Sequence, residues 1–200
     1  KSPTSLEEGG GGGLPTLSLI ALLVTFCFLY VGAEIGFGAW IAVVVLREDL
    51  AGEAGAASMA SLFWTGMMAG RLLAIPLAVR FSADCLLWAN LIGAVVSSSL
   101  LLADDIIWTA VGAGLFGLFM ASTFPLAMSL LPAAGKWYTL SAKNSSRMVI
   151  GAALGEMLVP ALIAALLGPA DGGRPSVLYA SCMVISMFLM VLYYAWCSLI

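Results

Sequence analysis

Apolar residues run along this chain in long blocks separated by short polar stretches. Six blocks approach or exceed the roughly 20 residues that carry a helix across the ~30 Å hydrocarbon core of a bilayer. They are Leu17–Leu46, Ala57–Val79, Cys85–Ala103, Ile106–Leu131, Met148–Gly168 and Ser176–Ile200. The pattern predicts an all-α membrane protein, a bundle of six transmembrane helices. The first block is too long for one perpendicular crossing, which predicts tilt or a break near Gly32, Gly36 and Gly38. Pro125 predicts a kink in the fourth. Before the first block, residues 1–16 (KSPTSLEEGGGGGLPT) hold five consecutive glycines and two prolines and read as a flexible linker. Residues 17–200 form the membrane domain. The chain starts at Lys1 with no signal-peptide pattern, so the expectation is the C-terminal part of something longer, joined through a cytoplasmic connector.

Six crossings divide into two triplets, residues 17–103 and 106–200. Three is odd, so the second triplet starts on the opposite side of the membrane from the first. Two inverted three-helix repeats are the expected architecture, the arrangement found inside each half of a twelve-helix transporter.

Composition agrees: 62% of residues are hydrophobic and mean hydropathy is +1.07, far beyond a soluble domain. With the linker placed in the cytoplasm, Lys1, Arg80, Lys136, Lys143 and Arg147 fall inside and only Arg47 and Arg174 outside. This obeys the positive-inside rule and puts both chain ends in the cytoplasm. No basic run points to nucleic acid. The absence of histidine removes imidazole relays and most zinc chemistry. Cys27, Cys85, Cys182 and Cys197 are scattered and read as small apolar fillers. No nucleophile–base set or phosphate-binding loop appears, so no enzyme and no resident cofactor is expected.

Against this apolar background Glu34, Arg71 and Glu156 stand out. A charge at the centre of a membrane helix costs roughly 2.5–3.5 kcal/mol on insertion scales. Arg71 lies nine residues before Arg80 and Glu156 nine after Arg147. At 1.5 Å per residue both sit roughly 13 Å from the same membrane surface, so an Arg71–Glu156 pair is geometrically open. Such a pair could be a structural staple, or the charges could line a polar pathway. Tyr30 and Phe37 share the face of Glu34, Trp64 and Met67 that of Arg71, and Phe116 and Thr123 share one side of the fourth span. Aromatic faces with a few hydrogen-bonding groups suit a sugar. Asn90 reads as an interhelical hydrogen bonder. Trp40, Trp88, Trp108, Trp137, Tyr193, Tyr194 and Trp196 read as interfacial anchors. Gly32/Gly36, Gly66/Gly70 and Gly151/Gly155 give small-xxx-small spacings that let helices approach closely.

Four stretches, FLYVGAEIGFGAWI (Phe28–Ile41), WTGMMAGRLLAIPLAVRF (Trp64–Phe81), ASTFPLAMSL (Ala121–Leu130) and GAALGEMLVPALI (Gly151–Ile163), together resemble the sodium-dependent glucose transporter-like, fucose permease-related branch of the major facilitator superfamily. The resemblance implies half of a major facilitator fold, helices seven to twelve, whose missing N-terminal six-helix half is its partner. It also implies a secondary transporter working by alternating access in a bilayer, the plasma membrane foremost. A sugar-like solute and Na+ or H+ as coupling ion would follow. Helices seven, eight, ten and eleven would face the central cavity, bringing Glu34, Arg71, Thr123 and Glu156 to it. Of the superfamily's loop motif only Arg80 remains; Val79 and Ser82 replace its aspartate and glycine. The competing reading is a transporter-like protein that carries lipid or another solute, or serves as a receptor or scaffold.

Overall fold

The structure is a computed structural model and describes residues 14–103, 105–130, 142–169 and 174–199. The expected linker up to residue 13, Trp137, Lys136 and the side chain of Lys143 lie outside the described residues. Seven helices make six membrane-length crossings: α1 (Leu14–Arg47), α2 (Glu53–Arg80), α3 (Ala83–Leu100), α4 (Ile106–Met120) with α5 (Thr123–Leu130), α6 (Ala142–Leu167) and α7 (Val177–Ser198). The end of the bundle where α1 begins is called the entry end below, and the opposite one the far end.

α1 differs from expectation, for it runs unbroken through Gly32, Gly36 and Gly38. Those glycines are used for packing instead. A methyl group at Gly32 would overlap Val159, one at Gly36 the side chain of Ile163, and one at Gly38 the ring of Trp64. The break falls in the fourth crossing, where helix is interrupted at Ala121–Ser122. Pro125 sits four residues beyond Ala121. It offers no N–H to the Ala121 carbonyl, and its ring crowds that carbonyl. The disruption therefore appears one turn before the proline. Pro76 and Pro160 are accommodated inside continuous helices.

Packing follows the inverted repeat. With α1, α2 and α3 matched to α4–α5, α6 and α7, the two most extensive interfaces, α1 with α6 and α2 with α4, are equivalents of each other. So are α4 with α3 and α1 with α7, the next two in extent, followed by the self-equivalent α3–α7 contact. Both main seams run on glycine. Along α1–α6 a Cβ at Gly155 would strike the Phe28 carbonyl, and along α2–α4 a Cβ at Gly66 would strike the Gly114 carbonyl. Lipid supplies no hydrophobic drive between helices, so this close backbone approach is what holds them.

The seams differ in extent. The glycine contacts of the α1–α6 seam run from Val24–Gly151 to Gly36–Ile163, whereas those of α2–α4 run from Phe63–Gly117 to Gly70 against Leu118 and Ala121. Beyond the break, α5 packs on α3 and α1. α2 continues straight on, and a space opens between them.

Two of the aromatic expectations change. Tyr193 and Trp196 are buried in the bundle rather than turned outward; Tyr193 stacks on Trp196, lies tilted against Trp88 and donates its hydroxyl to Asp84. Trp40 donates to the Pro160 carbonyl at 3.1 Å, tying α1 to α6. Trp108 and Tyr194 are exposed, as anchors would be.

Candidate functional site

The space between α2 and α5 is a cavity of about 750 Å³ that reaches from mid-membrane to the entry end. α1 contributes Tyr30 and Glu34, α2 contributes Arg71 and Ile75, Phe81 follows at the end of α2, and the broken crossing contributes Ser122, Phe124 and Ser129. Glu34 and Arg71 meet here. Arg71 Nη2 lies 3.5 Å from Glu34 Oε1, with the carboxylate side chain 10% exposed and the guanidinium 62%. This replaces the Arg71–Glu156 pairing that equal depth suggested. Depth alone ignores azimuth: Glu34 projects from the central helix across the gap toward α2, while α6 packs on the other side of α1. Glu156 is exposed on α6. The exposed guanidinium keeps unused N–H donors for a solute.

The break is tied down on both sides. The Tyr30 hydroxyl donates to the Met120 carbonyl at 2.7 Å, across the buried α1–α4 contact. From α3, Asn90 Nδ2 donates to Ser122 Oγ at 2.9 Å and to Thr123 Oγ1 at 3.4 Å. Thr123 in turn donates to the Phe119 carbonyl at 3.3 Å. Backbone freed by a helix break in a membrane must find partners inside the protein, and these side chains supply them.

No family model matches the sequence. Sodium-dependent glucose transporter 1A of Mus musculus is 34% identical over 197 residues, covering 96% of this chain and 45% of that protein. Sodium-dependent glucose transporter 1 of Homo sapiens is 34% identical over 168 residues, 82% of this chain and 31% of that protein. Major facilitator superfamily domain-containing protein 4A of Homo sapiens is 29% identical over 142 residues, 70% and 27% respectively. The chain belongs to the major facilitator superfamily. It spans less than half the length of these relatives, and its six crossings in two inverted triplets make it half of a major facilitator fold.

Within this half, the side chains singled out from the sequence separate into groups. Tyr30, Glu34 and Arg71 line the cavity. Thr123 is buried behind the wall at the break. Phe37 is fully buried in an aromatic core, 5.0 Å from Phe63 and 5.1 Å from Phe116 between ring centroids. Trp64 is 43% exposed, packs edge-on to Phe63 and covers Gly38. Glu156 and Trp64 are not part of the cavity wall as this half presents it. Sequence reading missed Ser122, Ser129, Phe81 and Phe124. The signal for Ser122 was present, since a residue just inside the turn before a membrane proline is where a helix opens.

Proposed function

We propose that this chain is the C-terminal half of a twelve-helix secondary transporter that moves a small polar solute, sugar-like in chemistry, by alternating access and coupled to a cation. The observation that carries this reading is the Glu34–Arg71 pair on the wall of a small-molecule-sized cavity at mid-membrane. Ionisable groups inside a membrane bundle are costly and mark solute and ion pathways. Arg71 and Glu34 can donate to and accept from solute hydroxyls, while Phe124 and Phe81 offer apolar faces to a ring. The missing N-terminal half supplies the opposite wall.

Glu34, held by Arg71, or Glu156, exposed on α6, would be the carboxylate that couples transport to Na+ or H+. Names of relatives support sodium and glucose as first choices. The linker and C-terminus lie in the cytoplasm, as the distribution of basic residues suggests, and the plasma membrane is the expected host.

Uptake of labelled glucose by cells expressing the full-length protein, with Na+ and pH varied separately, tests this. Glu34→Gln or Glu156→Gln should abolish the ion dependence while solute still equilibrates across the membrane. Unchanged Na+ and pH responses in both Glu156→Gln and Glu34→Gln would sink the coupling assignment. The second reading, a lipid or other amphipathic cargo, is favoured by one feature: most of the wall is apolar, including Ile75, Leu86 and Leu126. Lipid movement without sugar uptake in the same cells would establish it instead.

A further inference from the structure

A second concavity, of about 420 Å³, lies on the outside of the bundle where α6 and α7 diverge over α1. Its walls are Leu158, Leu162 and Leu166 of α6 with Ala180, Val184 and Ile185 of α7. At 3.6 residues per turn, Leu158 and Leu162 are on the opposite side of α6 from Glu156, so the groove opens away from the charged group. It is strongly exposed: Leu162 at 60% and Val184 at 64%. We propose that this groove holds one acyl chain of a membrane phospholipid, with the lipid's phosphate at Arg174 and Arg47.

Three observations converge on that occupant. From Leu158 to Leu166 the wall rises roughly 12 Å, close to the roughly 15 Å depth of one leaflet. The lining is apolar apart from the Ser181 hydroxyl, too few polar partners to hold water, and an empty groove would forfeit dispersion contacts along its whole length. Beyond the far-end mouth, marked by Leu166 and Val177, two arginines stand next to the last turn of α6. Arg47 Nη1 donates to the Gly168 carbonyl at 3.1 Å and the Arg174 backbone N–H to the Leu167 carbonyl at 3.1 Å. Both arginines therefore gather at the C-terminal end of α6, level with a lipid headgroup. Glu48 and Asp49 follow Arg47 in the chain, so Arg174, whose side chain is exposed, is the principal phosphate contact. The occupant is a bound lipid on the flank of the fold, distinct from any cargo of the cavity.

The test is photolabelling of the full-length protein in phosphatidylcholine vesicles containing phosphatidylcholine with a diazirine at mid-chain, read by peptide mapping. Labelling should concentrate on the Leu158–Leu166 and Ala180–Ile185 segments relative to Ile92 and Val96 of α3, which are also exposed. Val184→Trp, which fills the groove from an exposed position, should remove that excess. Arg174→Gln should reduce it, because it removes the charge-assisted contact to the lipid phosphate. Uniform labelling of α3, α6 and α7 would overturn the proposal. So would a groove left unlabelled because another part of the protein covers it, or displacement of the label by added sterol but not by unlabelled phosphatidylcholine.

Discussion

At the scale of single residues, the energetics turn on which partner each buried polar group finds. Glu34 is buried and its ion partner is a half-solvated guanidinium, so the pair is asymmetric. Arg71→Gln should leave a desolvated carboxylate and destabilise the protein by roughly 1–3 kcal/mol. Glu34→Gln frees an arginine already open to the cavity and should cost less. The double substitution should fold better than Arg71→Gln alone, and thermal melts of the three variants in detergent would show that order. Recovery of folding without transport in the double variant would separate the pair's functional role from its structural one. Tyr30→Phe is a cleaner probe. It keeps the ring and deletes the bond to the Met120 carbonyl, which should cost about 1–2 kcal/mol and loosen the break. A melting temperature equal to wild type would mean that another donor replaces the hydroxyl. The sequence made Glu34, Arg71 and Tyr30 visible because charge and hydroxyl stand out against an apolar run. It hid the Glu34–Arg71 pairing, because depth along a helix is countable in residues whereas azimuth depends on which neighbours the helix chooses.

At the scale of elements, the six crossings were legible as units, since bilayer thickness imposes a minimum apolar length on each of them. What glycine does inside such a crossing was not legible. The same residue can weaken a helix or let a neighbour approach closely, and in α1 the second use prevails because Val159 and Ile163 of α6 and Trp64 of α2 pack against its glycines. Gly155 is the sharpest case, with the Phe28 carbonyl occupying the space of any side chain. Gly155→Ala should force α1 and α6 apart and cost roughly 1–3 kcal/mol as overpacking. Gly114, where a methyl would meet open space, is the control: Gly114→Ala should leave the melting temperature unchanged or slightly raise it. Equal effects at the two positions would remove the seam argument. Pro125 was read correctly as a disruption, but the loop of hydrogen bonds from Tyr30 and Asn90 that stabilises it joins residues far apart in the chain. No local pattern announces those.

At the scale of the molecule, the inverted repeat makes the two glycine seams equivalent, and the structure breaks that equivalence in one place. α1 and α6 stay joined to the far end, where Trp40 and Arg47 bind carbonyls of α6 and its C-terminal turn. α2 and the broken crossing part beyond Gly70, and the cavity occupies the gap at the entry end. An impermeant thiol reagent can read this asymmetry directly. A cysteine replacing Ala78, an exposed cavity-wall residue of α2 near the entry end, should react from the side of the membrane that bears residues 80–83. A cysteine replacing Ile163, buried in the closed seam, should not react from the opposite side. If alternating access exchanges the open and closed ends, bound solute that favours the opposite state should slow labelling at residue 78 and speed it at residue 163. A solute that protects residue 78 without exposing residue 163 would instead indicate simple occlusion of the cavity. Reaction at residue 78 from the far side alone would show that the gap between α2 and α5 is not the path to the Glu34–Arg71 pair.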